Sequence, residues 1–175
     1  VLTAPNERTA HLYNRELVKL RSGSAANELF ACQLFSVADP EGQRLGSGGG
    51  TLHVLRMLRE KHHVQYNDIK TLLIIHSGGE SRRAPLYSSY GKAWAAFPES
   101  CYGGVASPVA LLLRSLSAFF CPALSVGSVV VCCSDVLLQL PASPLVRGVG
   151  GVSADWAALR EGVYVVAVPA ALAVA

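Results

Sequence analysis

The sequence carries little charge, few aromatic residues and no repeat. Charged residues make up 15% of the 175 positions and apolar residues 51%. This composition excludes an intrinsically disordered segment, which combines low hydrophobicity with high charge. The 16 glycines have no period of three and no heptad pattern is present, so collagen-like and coiled-coil chains are excluded as well. A net charge of +3 is too small to indicate a nucleic-acid partner.

Cysteine and long apolar runs are also scarce. The cysteines form no CxxC pair and are far too sparse for a disulfide scaffold, so we expect buried, reduced thiols in a cytoplasmic protein. They stand at positions 32, 101, 121, 132 and 133. The longest apolar run, residues 163–175, is interrupted by Pro169 and is shorter than the ~18–20 residues of a membrane span. Asn6 and Glu7 follow the first residues at once, unlike a signal peptide. We therefore expect no membrane segment.

Strand-like and helix-like patterns alternate along the chain, which predicts an α/β domain with a mostly parallel sheet. Asn6 is a candidate N-cap for a first helix, whose apolar face would carry Ala10, Tyr13, Leu17 and Leu20. We predict strands over 1–3, 29–37, 71–76, 127–133 and 163–168, and helices over 7–21, 52–61, 108–120 and 155–161. Residues 141–151 are predicted as a loop. Because ligands bind at the carboxyl ends of parallel strands, the loops at that edge are the candidate functional segments.

The first candidate is the glycine segment, residues 46–50 (GSGGG), together with Thr51. We predict it as a loop before a helix whose apolar stripe consists of Leu52, Leu55 and Leu58. Glycines let a backbone approach a ligand closely, and amides at a helix start form an anion site. The Gly-Lys-Ser/Thr of a P-loop and the final glycine of GxGxxG are missing. The alternative interpretation is that the glycine segment is a flexible surface linker. The candidate anion-binding positions here are Gly46, Ser47, Gly48, Gly49, Gly50 and Thr51.

The second candidate is the basic loop, residues 77–92, which follows the predicted strand 71–76. Gly78 and Gly79 allow close backbone approach to a ligand. Arg82 and Arg83 can bind phosphate oxygens bidentately, with Lys92 as a mobile charge. Such a cluster suits a leaving pyrophosphate, whose charge grows in the transition state. A solvated basic loop is the competing interpretation.

The third candidate is Asp135, which comes directly after the apolar strand 127–133 and Ser134. A carboxylate at that position can hold Mg²⁺ that bridges nucleotide phosphates. A lone aspartate after a strand also serves as a helix cap or turn former. The predicted metal site therefore depends on the two neighbouring candidate loops.

These segments resemble the L-fucokinase/GDP-fucose pyrophosphorylase family, in particular its L-fucose-1-phosphate guanylyltransferase domain. The resemblance rests on 45–51 (LGSGGGT), 76–83 (HSGGESRR) and 89–92 (SYGK), which are specific in combination. The segments 1–8 (VLTAPNER), 131–136 (VCCSDV) and 160–165 (REGVYV) fit as well. It therefore spans nearly the whole chain. It implies a Rossmann-like nucleotidyltransferase fold, of which residues 1–175 are one partial domain, truncated at the C-terminus.

The resemblance implies that GTP and L-fucose 1-phosphate react to GDP-fucose and pyrophosphate with Mg²⁺. By the resemblance, the glycine segment and Thr51 would line the nucleotide pocket. Gly78, Gly79, Arg82, Arg83 and Lys92 would hold the triphosphate, with the three cations as catalytic residues and Asp135 as metal ligand. The sugar-binding half would lie beyond Ala175, and a GHMP-type sugar kinase domain could be fused to the protein. Guanine and fucose rest on the resemblance alone. The alternative is a non-catalytic structural or regulatory domain of a fucokinase.

Overall fold

The computed structural model describes residues 1–22, 32–41, 43–61, 63–77, 91–96, 106–116, 124, 126–134, 136, 146–147 and 153–154. Its helices are α1 (Glu7–Ser22), α2 (Gly46–Glu60) and α3 (Pro108–Ser115). Its strands are β1 (Leu2–Ala4), β2 (Ser36–Ala38), β3 (Thr71–His76), β4 (Ser128–Cys133), β5 (Val146–Arg147) and β6 (Ser153–Ala154). Short 3-10 helices span Tyr66–Asp68 and Lys92–Trp94. No helix among these described residues is long and apolar enough to cross a membrane.

Four strands form a parallel sheet in the order β2-β1-β3-β4. This confirms the predicted α/β class with a parallel sheet. After β1 the chain moves outward to β2 and then returns across β1 to form β3. The order therefore reverses between β1 and β3, and in open α/β sheets the ligand crevice lies at such a switch point, outside the carboxyl ends of the strands.

Helices cover both faces of this sheet, and neighbouring residues of β3 point to opposite faces. Ile75 packs in a cluster with residues of α1 and α3, including Tyr13 and Leu112. Ile74 packs in a second cluster with Val54 and Leu58 of α2. Ile74 is fully buried and Ile75 almost so. A strand buried on both faces needs a continuous apolar run, which is why the TLLIIH pattern predicted β3 with its observed bounds.

Local signals set the starts of two helices. Asn6 caps α1 as predicted, because its side-chain oxygen accepts a hydrogen bond from the backbone N–H of Thr9 at 2.8 Å. Ser107 caps α3 by accepting from the backbone N–H of Ala110, with Pro108 at the first helical position. The predicted face of α1 is also confirmed, since Ala10, Tyr13 and Leu17 are buried.

Two predictions around α2 are wrong. The glycine segment is not a loop, because α2 begins at Gly46 and the glycines form its first turns. Leu52 does not belong to the buried stripe, since 69% of it is exposed. The stripe that contacts the sheet instead carries Gly50, Val54 and Leu58, four residues apart. Of the predicted stripe, Leu58 is buried as expected, whereas Leu52 faces away from the sheet.

Burial of the cysteines was also predicted wrongly in part. Cys32 and Cys133 are free thiols on the surface, and only Cys132 is partly covered. Burial raises the pKa of the Cys132 thiol to about 12. β4 alternates between half-buried and exposed residues, which places Cys132 and Cys133 on opposite faces. Cys101 and Cys121 lie outside the described residues.

Other predicted boundaries need adjustment. The first strand spans Leu2–Ala4 rather than 1–3, and β2 begins only at Ser36. The predicted loop 141–151 contains β5, which pairs antiparallel with β6. The predicted helix 155–161 and strand 163–168 lie outside the described residues.

Candidate functional site

Polar side chains meet at the carboxyl ends of β1 and β3, which is where the switch point lies. Thr3 is buried near the end of β1, and His76 is the last residue of β3. Ser77 follows directly, and its backbone N–H donates to the Thr3 hydroxyl at 3.2 Å. The backbone N–H of Ser134 donates to the His76 carbonyl at 2.9 Å, so the end of β4 reaches the same edge.

The His76 ring links this edge to α2. Its Nδ1 lies 3.3 Å from the Thr3 hydroxyl, and its Nε2 lies 2.9 Å from the hydroxyl of Thr51. The same Thr51 hydroxyl donates to the Ser47 carbonyl at 2.9 Å. Farther along the helix, His53 Nε2 lies 3.1 Å from the Ala38 carbonyl at the end of β2. The first half of α2 is therefore hydrogen-bonded directly to β3 and β2, and it is linked to β1 through His76.

Each glycine of the glycine segment has its own surroundings. Gly46 has φ +66°, a conformation that side chains with a Cβ rarely adopt. A Cβ on Gly49 would meet Leu45 Cβ at 3.0 Å, and one on Gly50 would meet His76 Cε1 at 3.2 Å. A Cβ on Gly48 would find no atom within 4 Å. Backbone conformation therefore explains glycine at 46 and internal packing explains it at 49 and 50, whereas neither requires glycine at 48.

The start of α2 has no side-chain cap. Leu45 occupies the N-cap position, makes no capping hydrogen bond, and no acidic residue lies in the first turn. The first amides of a helix lack intrahelical partners, and the helix dipole favours an anion near them. Gly46, Ser47 and Gly48 are exposed. This turn is therefore chemically suited to phosphate oxygens.

Tyr13 joins both ends of the basic loop. Its hydroxyl accepts a hydrogen bond from Ser77 Oγ at 3.2 Å. A Cβ on Gly91, which has φ +76°, would lie 2.3 Å from the same hydroxyl oxygen. Burial raises the pKa of Tyr13, with the Ser77 hydrogen bond acting in the opposite direction. Lys92 follows Gly91 directly, so its backbone is held beside the first residue after β3.

The structure brings together part of the predicted site. Thr51 and the exposed glycines of α2 lie at the carboxyl edge, and Lys92 is held there through Gly91. Thr3, Tyr13 and His76 were not predicted as site residues. The remaining predicted residues lie outside the described ranges: Gly78, Gly79, Arg82, Arg83 and Asp135.

Stability is expected to depend on the protonation of His76. Burial lowers the pKa of His76 below its usual 6.5, partly opposed by the charge of Asp39. The unfolded chain then binds the proton first, so the free energy of unfolding should decrease as the pH falls below about 6.5. We expect His76→Gln to flatten this decrease in urea titrations between pH 7.5 and 5.5. The matched control is His11→Gln on the exposed side of α1, and an equally steep decrease in His76→Gln would contradict the assignment.

Fold and edge together define an α/β protein with a parallel sheet, whose switch point is where ligands bind in proteins of this class. A family model described as "Fucose pyrophosphorylase domain" matches residues 66–175, more than half of the chain. The chain belongs to this family. The matched range includes β3, the basic loop and Asp135, whereas the glycine segment precedes it.

Named relatives agree with this family. The human "Fucose-1-phosphate guanylyltransferase" is 30% identical over 141 residues, which cover 78% of this chain and 22% of the relative. The "Bifunctional fucokinase/GDP-fucose pyrophosphorylase" of Arabidopsis thaliana is 28% identical over 138 residues, covering 67% of this chain and 13% of that protein. The chain thus spans about a fifth or less of these relatives. No solved structure matches it.

Proposed function

We propose that the protein is a nucleotidyltransferase that makes GDP-fucose and pyrophosphate from GTP and L-fucose 1-phosphate. The observation that carries this proposal is the uncapped, glycine-built start of α2 beside the β1–β3 switch point. A triphosphate needs close backbone approach and amide donors, and this turn offers both. The names of the relatives supply the substrates, and the name of the bifunctional relative supports a fused fucokinase as a neighbouring domain.

Each candidate residue has a part in the proposed reaction. The amides of the glycine segment, with Gly78 and Gly79, would bind the nucleotide phosphates. Arg82, Arg83 and Lys92 would neutralise the pyrophosphate as it leaves. Thr51 would help to hold the glycine segment in place, because its hydroxyl is hydrogen-bonded to the Ser47 carbonyl and to His76. The sugar phosphate attacks the α-phosphorus in line, so catalysis consists of orientation and charge stabilisation.

Asp135 would hold Mg²⁺, which would supply positive charge to stabilise the nucleotide phosphates. Among the described residues, no cluster of three or more His, Cys, Asp or Glu side chains could bind a metal ion. Mg²⁺ does not need one, because it commonly binds through one or two carboxylates, water and substrate phosphates. Ser134, directly before Asp135, is tied to the end of β3 at the candidate edge. We include a cytoplasmic setting in the proposal, which the free thiols of Cys32 and Cys133 support.

Gly48→Ala tests the nucleotide role of the glycine segment. Alanine has open space at this position, so the variant should be more stable by about 0.5–1 kcal/mol through higher helix propensity. Binding of Mg·GTP should nevertheless weaken, because the new methyl group stands where the phosphates approach. Calorimetric titration with GTP, UTP and ATP, together with urea unfolding, measures both effects.

Leu52→Ala is the matched control, since Leu52 is exposed one turn farther along the same helix. It should leave GTP affinity unchanged. A Gly48→Ala variant with raised stability and undiminished affinity would remove the glycine segment from the site. A folded wild-type protein that binds none of the three nucleotides would favour the alternative, a structural or regulatory domain of a fucokinase.

A further inference from the structure

A chain of hydrogen bonds runs through His76, and its direction follows from counting protons. A threonine hydroxyl has a single proton to donate. Thr51 donates its proton to the Ser47 carbonyl at 2.9 Å, so its oxygen must accept from His76 Nε2. Nε2 therefore carries the ring proton, and Nδ1 is left as an acceptor for the hydroxyl of Thr3.

The hydrogen bonds of Thr3 agree with this assignment of the ring proton. The Thr3 oxygen, having donated to Nδ1, accepts the backbone N–H of Ser77 at 3.2 Å. The hydroxyls of Thr3 and Thr51 thus each donate one hydrogen bond and accept one. The contacts put a proton on Nε2, so a neutral His76 ring takes the Nε2–H tautomer, and the lowered pKa of His76 favours that neutral form.

These hydrogen bonds join three elements at the switch point: β3, β1 and α2. The chain of hydrogen bonds begins at the backbone after β3, passes through β1 at Thr3, and ends on a carbonyl in the first turn of α2. Gly50 lets the ring approach the helix, because a Cβ there would lie 3.2 Å from His76 Cε1. Both ring nitrogens are engaged inside the protein, so His76 has no ring nitrogen left for a substrate.

We propose that His76 is a positioning residue that aligns the glycine segment of α2 with the carboxyl ends of β1 and β3 for nucleotide binding. The proposal rests on the proposed function, since it assigns the glycine segment to the nucleotide. Directional hydrogen bonds fix the rotation and height of the helix start, which apolar packing of Val54 and Leu58 alone leaves less defined. Small misplacements of binding groups have large effects on phosphoryl chemistry.

The hydrogen-bond chain is tested without any ligand. The nitrogen-15 shifts of the His76 ring should report a neutral Nε2–H tautomer at pH 7.5 in the folded protein. An Nδ1–H tautomer, a charged ring or rapid exchange between tautomers would overturn the chain and with it the proposal.

The positioning role is tested by two substitutions of Thr3, a buried residue that contacts His76 and has no proposed contact with the nucleotide. Thr3→Val keeps the shape but removes the hydroxyl, and it should weaken Mg·GTP binding by up to about tenfold, the factor reached when the whole free energy of the lost internal hydrogen bond is taken from ligand binding. Thr3→Ser keeps the hydroxyl, loses one methyl group, and should bind within about twofold of wild type. The two variants separate hydrogen bonding from packing.

Thermal unfolding of both variants completes the test. A structural role alone would lower the melting temperature of Thr3→Val and leave GTP affinity unchanged in its folded form, which would overturn the proposal. If the wild-type protein binds no nucleotide while the ring shows the Nε2–H tautomer, the proposed function fails and the positioning role fails with it. The hydrogen-bond chain would then remain as a feature of the fold.

Discussion

Gly91→Ala is expected to destabilise the protein by several kcal/mol. Gly91 has φ 76° and ψ 149°, a region that is essentially restricted to glycine and costs other residues about 1–3 kcal/mol. The added Cβ would also lie 2.3 Å from the Tyr13 hydroxyl oxygen, and overpacking typically costs a further ~1–3 kcal/mol. The free energy of unfolding from urea titration measures the sum.

Tyr13→Phe separates these two contributions. Phenylalanine removes the hydroxyl oxygen and leaves the ring carbon Cζ, which the new Cβ would meet at an ordinary 3.4 Å. Alone, Tyr13→Phe should cost about 1 kcal/mol through the lost Ser77 hydrogen bond. In that background Gly91→Ala should cost only the backbone part. Strictly additive costs would contradict a contact between Gly91 and Tyr13.

Residue patterns within a single element correctly predicted the strand β3 and the buried face of α1. β3 was predicted with its observed bounds, because an apolar run buried on both faces is visible without the rest of the fold. The face of α1 followed from the spacing of Ala10, Tyr13 and Leu17. Both patterns depend on neighbours within one element, so no knowledge of the packing partner was needed.

The start of α2 was not predictable in this way. Four glycines in five residues disfavour a helix by local propensity. The helix forms there because contacts distant in sequence hold it: Thr51 bonds to His76, and Gly50 lets that ring come close. The exposure of Leu52 and Cys133 was missed for the same reason, since it depends on which face meets the sheet.

The residues of the candidate site also fall into those that the sequence pattern predicts and those that only the fold reveals. Glycines, arginines and an aspartate after predicted strands can be recognised from residue type and spacing. The contacts of Thr3 with His76 and of Tyr13 with Ser77 bridge 73 and 64 positions in sequence. No short pattern encodes such pairs. These residues were therefore assigned only after the strands had been placed side by side.

Asp135→Asn is expected to reduce the proposed GTP-dependent turnover by about 100- to 1000-fold. The substitution keeps the size of the side chain and removes the negative charge that would hold Mg²⁺. A bound metal ion contributes several kcal/mol to transition-state stabilisation, and each 1.36 kcal/mol corresponds to about tenfold in rate. Pyrophosphate release with GTP and L-fucose 1-phosphate measures the loss.

Asp68→Asn is the matched control, because it makes the same substitution at an exposed carboxylate in the 3-10 helix before β3. It should leave turnover at the wild-type rate, and both variants should keep the wild-type melting temperature. A true metal ligand also predicts that raising the Mg²⁺ concentration restores part of the rate of Asp135→Asn, since weaker ion binding is compensated by mass action. Wild-type turnover in Asp135→Asn would exclude Asp135 as the metal ligand. A loss that occurs together with unfolding would assign Asp135 to the stability of the β4 terminus instead.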